Sequence, residues 1–151
     1  MKLVSFAIRD FKSVRNSTTV EVGDVTCLVG KNESGKTAIL QALYKLNPVV
    51  PEHAPFDVTD EYPRAEVEEY LQQVESEEVT PAIVVEAKYV LDPGEIKGVE
   101  AVFGEGVLPH PEIVLSKGYE NKLHIRLKLN ETVAVKALVQ SHKLPVEVAQ
   151  S

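Results

Sequence analysis

The chain has 151 residues, of which 44% are hydrophobic and 26% charged, proportions ordinary for a globular domain in water. That length suffices for a sizeable core; no apolar run approaches the roughly 20 residues that cross a bilayer, and no secretory signal opens the chain, so a cytoplasmic protein with no membrane partner is expected. The net charge of −7 is concentrated in residues 48–110, where three Lys/Arg face fifteen Asp/Glu, so no DNA-binding face shows in the total and the acidic middle reads as solvated helix surface.

The opening Lys2–Arg9 alternates Val4, Phe6 and Ile8 on one face and predicts a strand. Phe11–Ser17 reads as a basic connection, Thr18–Val22 as a second strand, and Gly23-Asp24 as a turn into a third, Val25–Val29. This third run is β-branched and apolar, so a buried strand is predicted there, with Cys27 packing as a small hydrophobe rather than reacting.

Residues 30–37 read G-K-N-E-S-G-K-T, which satisfies the phosphate-loop pattern G-x-x-x-x-G-K-[S/T]. Glycines at 30 and 35 allow turns closed to residues with a Cβ, so that successive N–H groups can face phosphate oxygens. Thr37–Leu46 predicts a helix with Ile39, Ala42, Leu43 and Leu46 on one face, ended by Asn47-Pro48. Its N-terminus adds about half an elementary positive charge to the cradle. The binding set is therefore Gly30, Lys31, Asn32, Glu33, Ser34, Gly35, Lys36, Thr37 and Ala38. Lys36 is placed to reach the β- and γ-phosphates of a nucleotide, and the Thr37 hydroxyl to ligate Mg²⁺. Strand, loop and helix in succession make this motif a site rather than a glycine turn.

Residues 47–61 hold proline and acid without an apolar period and read as an irregular excursion. A helix is predicted from Pro63 to Glu78, with Val67, Tyr70, Leu71 and Val74 inward and six glutamates outward. Pro81–Leu91 alternates Ile83, Val85, Ala87, Tyr89 and Leu91 and predicts a strand. Asp92 and Glu95 form a capping-box pattern opening a short helix with Ile96, Val99 and Phe103 on its apolar side. Glu112–Ser116 and Lys122–Leu129 predict two more strands. In the second, Leu123, Ile125, Leu127 and Leu129 form a buried face and Lys122, His124, Arg126 and Lys128 a solvated basic one. Glu131–His142 predicts a last helix.

Hydrolysis needs an acid beside the Mg²⁺ shell and a group that orients water. Glu86 and Asp92 end apolar runs and are the two candidates, although strand alternation turns Glu86 outward and Asp92 suits a helix cap. No catalytic residue is assigned. The histidines at 53, 110, 124 and 142 have no ligand spacing with the single cysteine, so no structural zinc site is expected.

The opening MKLVSFAIRDFKSVRNSTTVEVGDVTCLVGKNESGKTAILQAL resembles the N-terminal ATPase segment of ABC-type proteins. That group includes the RecF-like and structural-maintenance-of-chromosomes proteins and the overcoming-lysogenisation-defect (OLD) nucleases. The likeness covers residues 1–46; Asp60–Arg64 and the run AIVVEAKYVLD look most like the OLD-type AAA ATPases. The resemblance implies an α/β phosphate-loop NTPase of ABC-ATPase type, with a mixed sheet and N-terminal antiparallel strands ahead of the loop. It implies ATP and Mg²⁺ as cofactors, nucleotide contacts from Lys12 and Ser13, and an ATP-dependent homodimer acting with DNA or a nuclease effector. The chain carries no serine-glycine signature motif, switch histidine or nuclease-type acidic cluster, so it is expected to be a single front lobe, 1–151, of a longer protein, divided at 46 and 80. Hydrolysis would then need downstream parts or a partner subunit. Two other readings stay open: a self-contained phosphate-loop kinase or NTPase using Glu86 or Asp92, and a nucleotide-sensing module whose partner surface is the acidic helix.

Overall fold

The computed structural model describes residues 1–31 and 35–142, excluding the His142 side chain, and in it the chain divides into two compact units. One holds Leu3–Lys88 and Val114–Ile125; the other holds Met1–Lys2, Tyr89–Ile113 and the described residues from Arg126. Elements follow in the order β1 (Lys2–Phe11), β2 (Val14–Asn16), β3 (Val20–Glu21), α1 (Lys36–Leu46), α2 (Val58–Glu61), α3 (Val67–Glu75) and β4 (Ile83–Val90). Next come α4 (Pro93–Phe103), β5 (Glu112–Gly118), β6 (Leu123–Leu127) and α5 (Glu131–His142). The sheet order is β2–β1–β4–β5–β6, with β3 also on β1. No helix among the described residues is long and apolar enough to cross a membrane.

β1 and β4 lie inside the sheet, and that position outweighs their alternation. Ser5, Phe6, Ala7 and Ile8 are buried in succession, as are Val84 and Val85, because both faces are covered. The expected one-sided face of β4 is corrected accordingly: Val84 is buried and Ile83, at the strand's start, is exposed. The predicted basic connection is corrected to a hairpin. Phe11 pairs with Val14, Arg9 with Asn16, and a two-residue turn at Lys12-Ser13 joins the strands, with Lys12 at φ 53°. The second predicted strand shrinks to Val20–Glu21, paired antiparallel with Phe6 and Ser5.

The largest correction falls at Val25–Val29. This run is no strand; Val25 and Val29 are 85% and 92% exposed, and Cys27 is exposed rather than packed. An apolar β-branched run becomes a strand only where an edge receives it, and no described strand pairs with this one. The same reason corrects β6. It is the end strand of the sheet, and Leu123 and Ile125, expected inside, are 49% and 58% exposed.

Helix α1 matches its forecast within a residue, burying Ala38, Ala42 and Leu46 and ending at Asn47. Helix α3 is shorter than forecast, because Pro63 sits in a preceding turn closed by Glu66 N–H to Pro63 C=O; Tyr70 is its buried anchor. The irregular stretch 47–61 contains a 3₁₀ turn at Pro51–His53 and then α2, capped by Asp57. Polar groups fix it. Lys117 Nζ donates to the Ala54 carbonyl at 2.6 Å, Lys45 Nζ to the Pro55 carbonyl at 2.8 Å, and the Asn121 amide bonds both main-chain groups of Phe56. The Phe56 ring meets Phe11 edge-on at 5.7 Å and lies under both ammonium groups.

In the other unit α4 opens with the forecast capping box, and Asp92 and Glu95 also hold the N-terminal ammonium at 3.2 and 2.8 Å. Helices α4 and α5 pack together beside Gly104, at φ 97°, where a β-carbon would lie a tight 3.0 Å from Val133 Cγ1.

Burial holds the Asp10 carboxyl above the ordinary carboxylate range, opposed by Arg15 and Arg9. A raised acid favours the protonated folded state, so ionisation weakens the fold as pH rises through that raised value, and the penalty is absent below the ordinary range. Asp10 also sits at φ 48°, which asparagine tolerates well. Asp10→Asn is therefore expected to raise the melting temperature at pH 7, with the difference closing toward pH 4 in thermal melts.

Candidate phosphate-binding site

Helix α1 begins at Lys36, with Gly35 as its N-cap in the left-handed region, at φ 85° and ψ 9°. No side chain caps this end, so the first-turn amides are not claimed by a capping residue. A β-carbon at position 35 would fall 2.8 Å from Val14 Cγ2 and 3.2 Å from Ser13 Oγ. Glycine is thus required twice, by its φ and by the β1–β2 turn lying against it. The structure brings Ser13 to the phosphate loop in this way.

Lys36 Nζ donates to the carbonyls of Gly30 and, at 3.1 Å, Lys31, spanning the loop from its helix end to its entry. Gly30, Lys31 and Thr37 are exposed and Ala38 is buried in the helix contact; Asn32, Glu33 and Ser34 lie outside the described residues. Lys12 Nζ donates to Gln41 Oε1 of α1 at 2.7 Å, so the hairpin turn touches the helix beyond the loop as well.

Beside this turn lies a cavity of about 490 Å³ lined by Lys12, Ser13, Asp60, Tyr62 and Arg64. In the sequence Asp60, Tyr62 and Arg64 carry only a family likeness, and no spacing rule brings them to Lys12. Behind this wall Tyr62 belongs to an aromatic cluster: it stacks on Tyr70 with centroids 4.1 Å apart, and both approach Tyr119. The Tyr119 hydroxyl donates to the Asp10 carbonyl at 2.5 Å, and burial pushes its phenol far up, so it stays a donor throughout the working pH range. Burial likewise raises Tyr62 and Tyr70. Nearby, Arg15 pairs with Glu66 and holds that carboxyl below its ordinary range.

The turn itself is held by Glu61. The Lys12 amide donates to the Glu61 carbonyl at 2.5 Å, while the buried Glu61 carboxylate takes Lys45 Nζ at 2.5 Å and the Asp57 amide at 3.0 Å. No local sequence signal marks Glu61 among fifteen acids of that region. The forecast acids lie elsewhere. Glu86 lines a cavity of about 270 Å³ with Ser5, Thr19, Glu21 and Lys88, and Asp92 is engaged by its capping box and the N-terminus.

A family model described as AAA ATPase domain matches residues 1–132, and the chain belongs to that family. No curated protein matches the chain.

Gly35→Ala tests the close approach. Left-handed strain plus overlap with Val14 is expected to cost about 3 kcal/mol, read by urea unfolding, unless the turn moves away from the loop.

Proposed function

For this AAA ATPase domain we propose Mg·ATP binding at residues 30–38, with Lys12 and Ser13 contributing from the hairpin turn. The observation that carries this reading is Gly35. It is left-handed at an uncapped helix start and pressed by Ser13 and Val14, a cradle that a β-carbon would fill. The residues suit a triphosphate. First-turn amides and the helix dipole face one anion, Lys36 supplies a point charge, and the exposed Thr37 hydroxyl is available to a cation. Mg²⁺, when bound, would neutralise charge on the β- and γ-oxygens. This chain's own part is to bind and orient the phosphates.

Within the family, the OLD-like, ABC-type reading is favoured by the sequence of residues 1–46 and by Asp60–Arg64, three of whose members line the cavity beside Lys12. On this reading the protein is the front lobe of a homodimeric ATPase linked to DNA processing or phage defence. Hydrolysis is completed by groups from a partner subunit or further parts. The engagement of Asp92 in a capping box takes one acid away from the self-contained NTPase alternative.

Lys36→Ala removes an ammonium that would face two phosphates, a loss of about 3 kcal/mol or roughly a hundredfold in affinity. Because the described partners of Lys36 are loop carbonyls, the melting temperature is expected to stay near that of the parent. Calorimetric titration with Mg·ATP reads the first quantity, and equal affinity in the two proteins would remove the reading.

A further inference from the structure

We infer that Glu61 is a positioning residue for the nucleotide site, holding the Lys12-Ser13 turn against the phosphate loop through its buried pair with Lys45. This rests on the reading of Lys12 and Ser13 as nucleotide contacts. The geometry behind it is a closed circuit. Helix α1 carries the loop glycine at its start and Lys45 in its last turn. Lys45 Nζ meets Glu61 Oε1 at 2.5 Å with both side chains largely buried. The Glu61 carbonyl takes the Lys12 amide at 2.5 Å, and the adjacent Ser13 and Val14 lie on Gly35, back at the start of α1.

Each link has a physical reason to be stiff. Lys12 is at φ 53°, a conformation a lysine holds only when its surroundings fix it. The Glu61 carboxylate accepts the Asp57 amide at 3.0 Å as well as Lys45, so its side chain has one orientation. Lys45 also donates to the Pro55 carbonyl at 2.8 Å, and Lys117 to the Ala54 and Lys45 carbonyls, which fixes the segment leading into α2. Residues immediately around Glu61, namely Asp60, Tyr62 and Arg64, line the cavity that Lys12 and Ser13 complete. Glu61 itself lines no part of it. It acts on the site through the main chain of Lys12.

A double-mutant cycle tests this, with Mg·ATP affinity read by calorimetry and melting temperature read alongside. Glu61→Gln is expected to weaken Mg·ATP binding about tenfold in the parent, within the usual range of coupling between residues of one network. Added to Lys12→Ala, the same change is expected to weaken binding no further, since the contact it positions is gone. Should Glu61→Gln fail to fold, the paired change Lys45→Met with Glu61→Met replaces the ions by apolar chains of similar length, which buried sites commonly tolerate. That variant is expected to melt near the parent and to bind as weakly as Glu61→Gln. Unchanged affinity in the Glu61 variants, or losses that multiply with Lys12→Ala, would overturn the inference while leaving Lys12 as a contact. Unchanged affinity in Lys12→Ala would overturn the role of Lys12, and the inference with it.

Discussion

The β1–β2 turn lies within contact distance of Gly35, and the arrangement of the site follows from that approach. Ile8 and Phe11 are fully buried and Val14 nearly so, which anchors the hairpin strands in the core on both sides of their exposed turn. The loop must therefore present a residue without a Cβ at 35, and the helix that begins there must start without a side-chain cap. The left-handed, uncapped start of α1 thus reflects packing against the hairpin as much as the loop's own composition.

Charge placed inside the larger unit keeps this contact in register. Lys117 is buried, and desolvation, followed by the nearby Lys45, lowers its ammonium below the ordinary lysine range. Such groups rarely add net stability over apolar replacements, and their directional bonds fix which main-chain atoms meet. Here Lys45, Lys117 and Asn121 together bind carbonyls of Ala54, Pro55 and Phe56, pinning a stretch with no apolar period of its own.

That contrast explains which parts were legible in advance. Helix α1, the capping box at Asp92 and the existence of β4 rest on local rules, and local rules read them. Val25–Val29 and β6 carry equally clear apolar patterns and are exposed, because a pattern states what a strand can bury and says nothing of whether an edge or a covering layer is present. Segment 47–61 failed in the opposite direction: it looks irregular, yet lysines and an asparagine from α1 and the β5–β6 turn determine it. Of the site, Lys36 and Gly35 were visible as a motif. Glu61 and the wall of Asp60, Tyr62 and Arg64 were visible only once the chain had folded.

A chain of net charge −7, with its acids massed between residues 48 and 110, presents an unfavourable field to anions, so a phosphate site of the kind proposed would have to generate its positive potential locally. The partners of each cation decide whether it contributes. Arg15 and Lys45 sit against the carboxylates of Glu66 and Glu61, and Lys122 against Glu120, so their charges are cancelled at close range. Lys36 bonds main-chain carbonyls and Lys12 bonds the amide of Gln41, neutral acceptors that orient an ammonium without neutralising it. Those two lysines flank Gly35 from the helix and from the hairpin turn, beside the positive end of α1. Glu66 and Glu61 are each paired with a cation, whereas Asp60 lines the cavity beside Lys12 and Ser13. The fold thus sorts its charges by partner type: Lys36 and Lys12 keep neutral acceptors on either side of Gly35, while Arg15, Lys45 and Lys122 are paired with carboxylates.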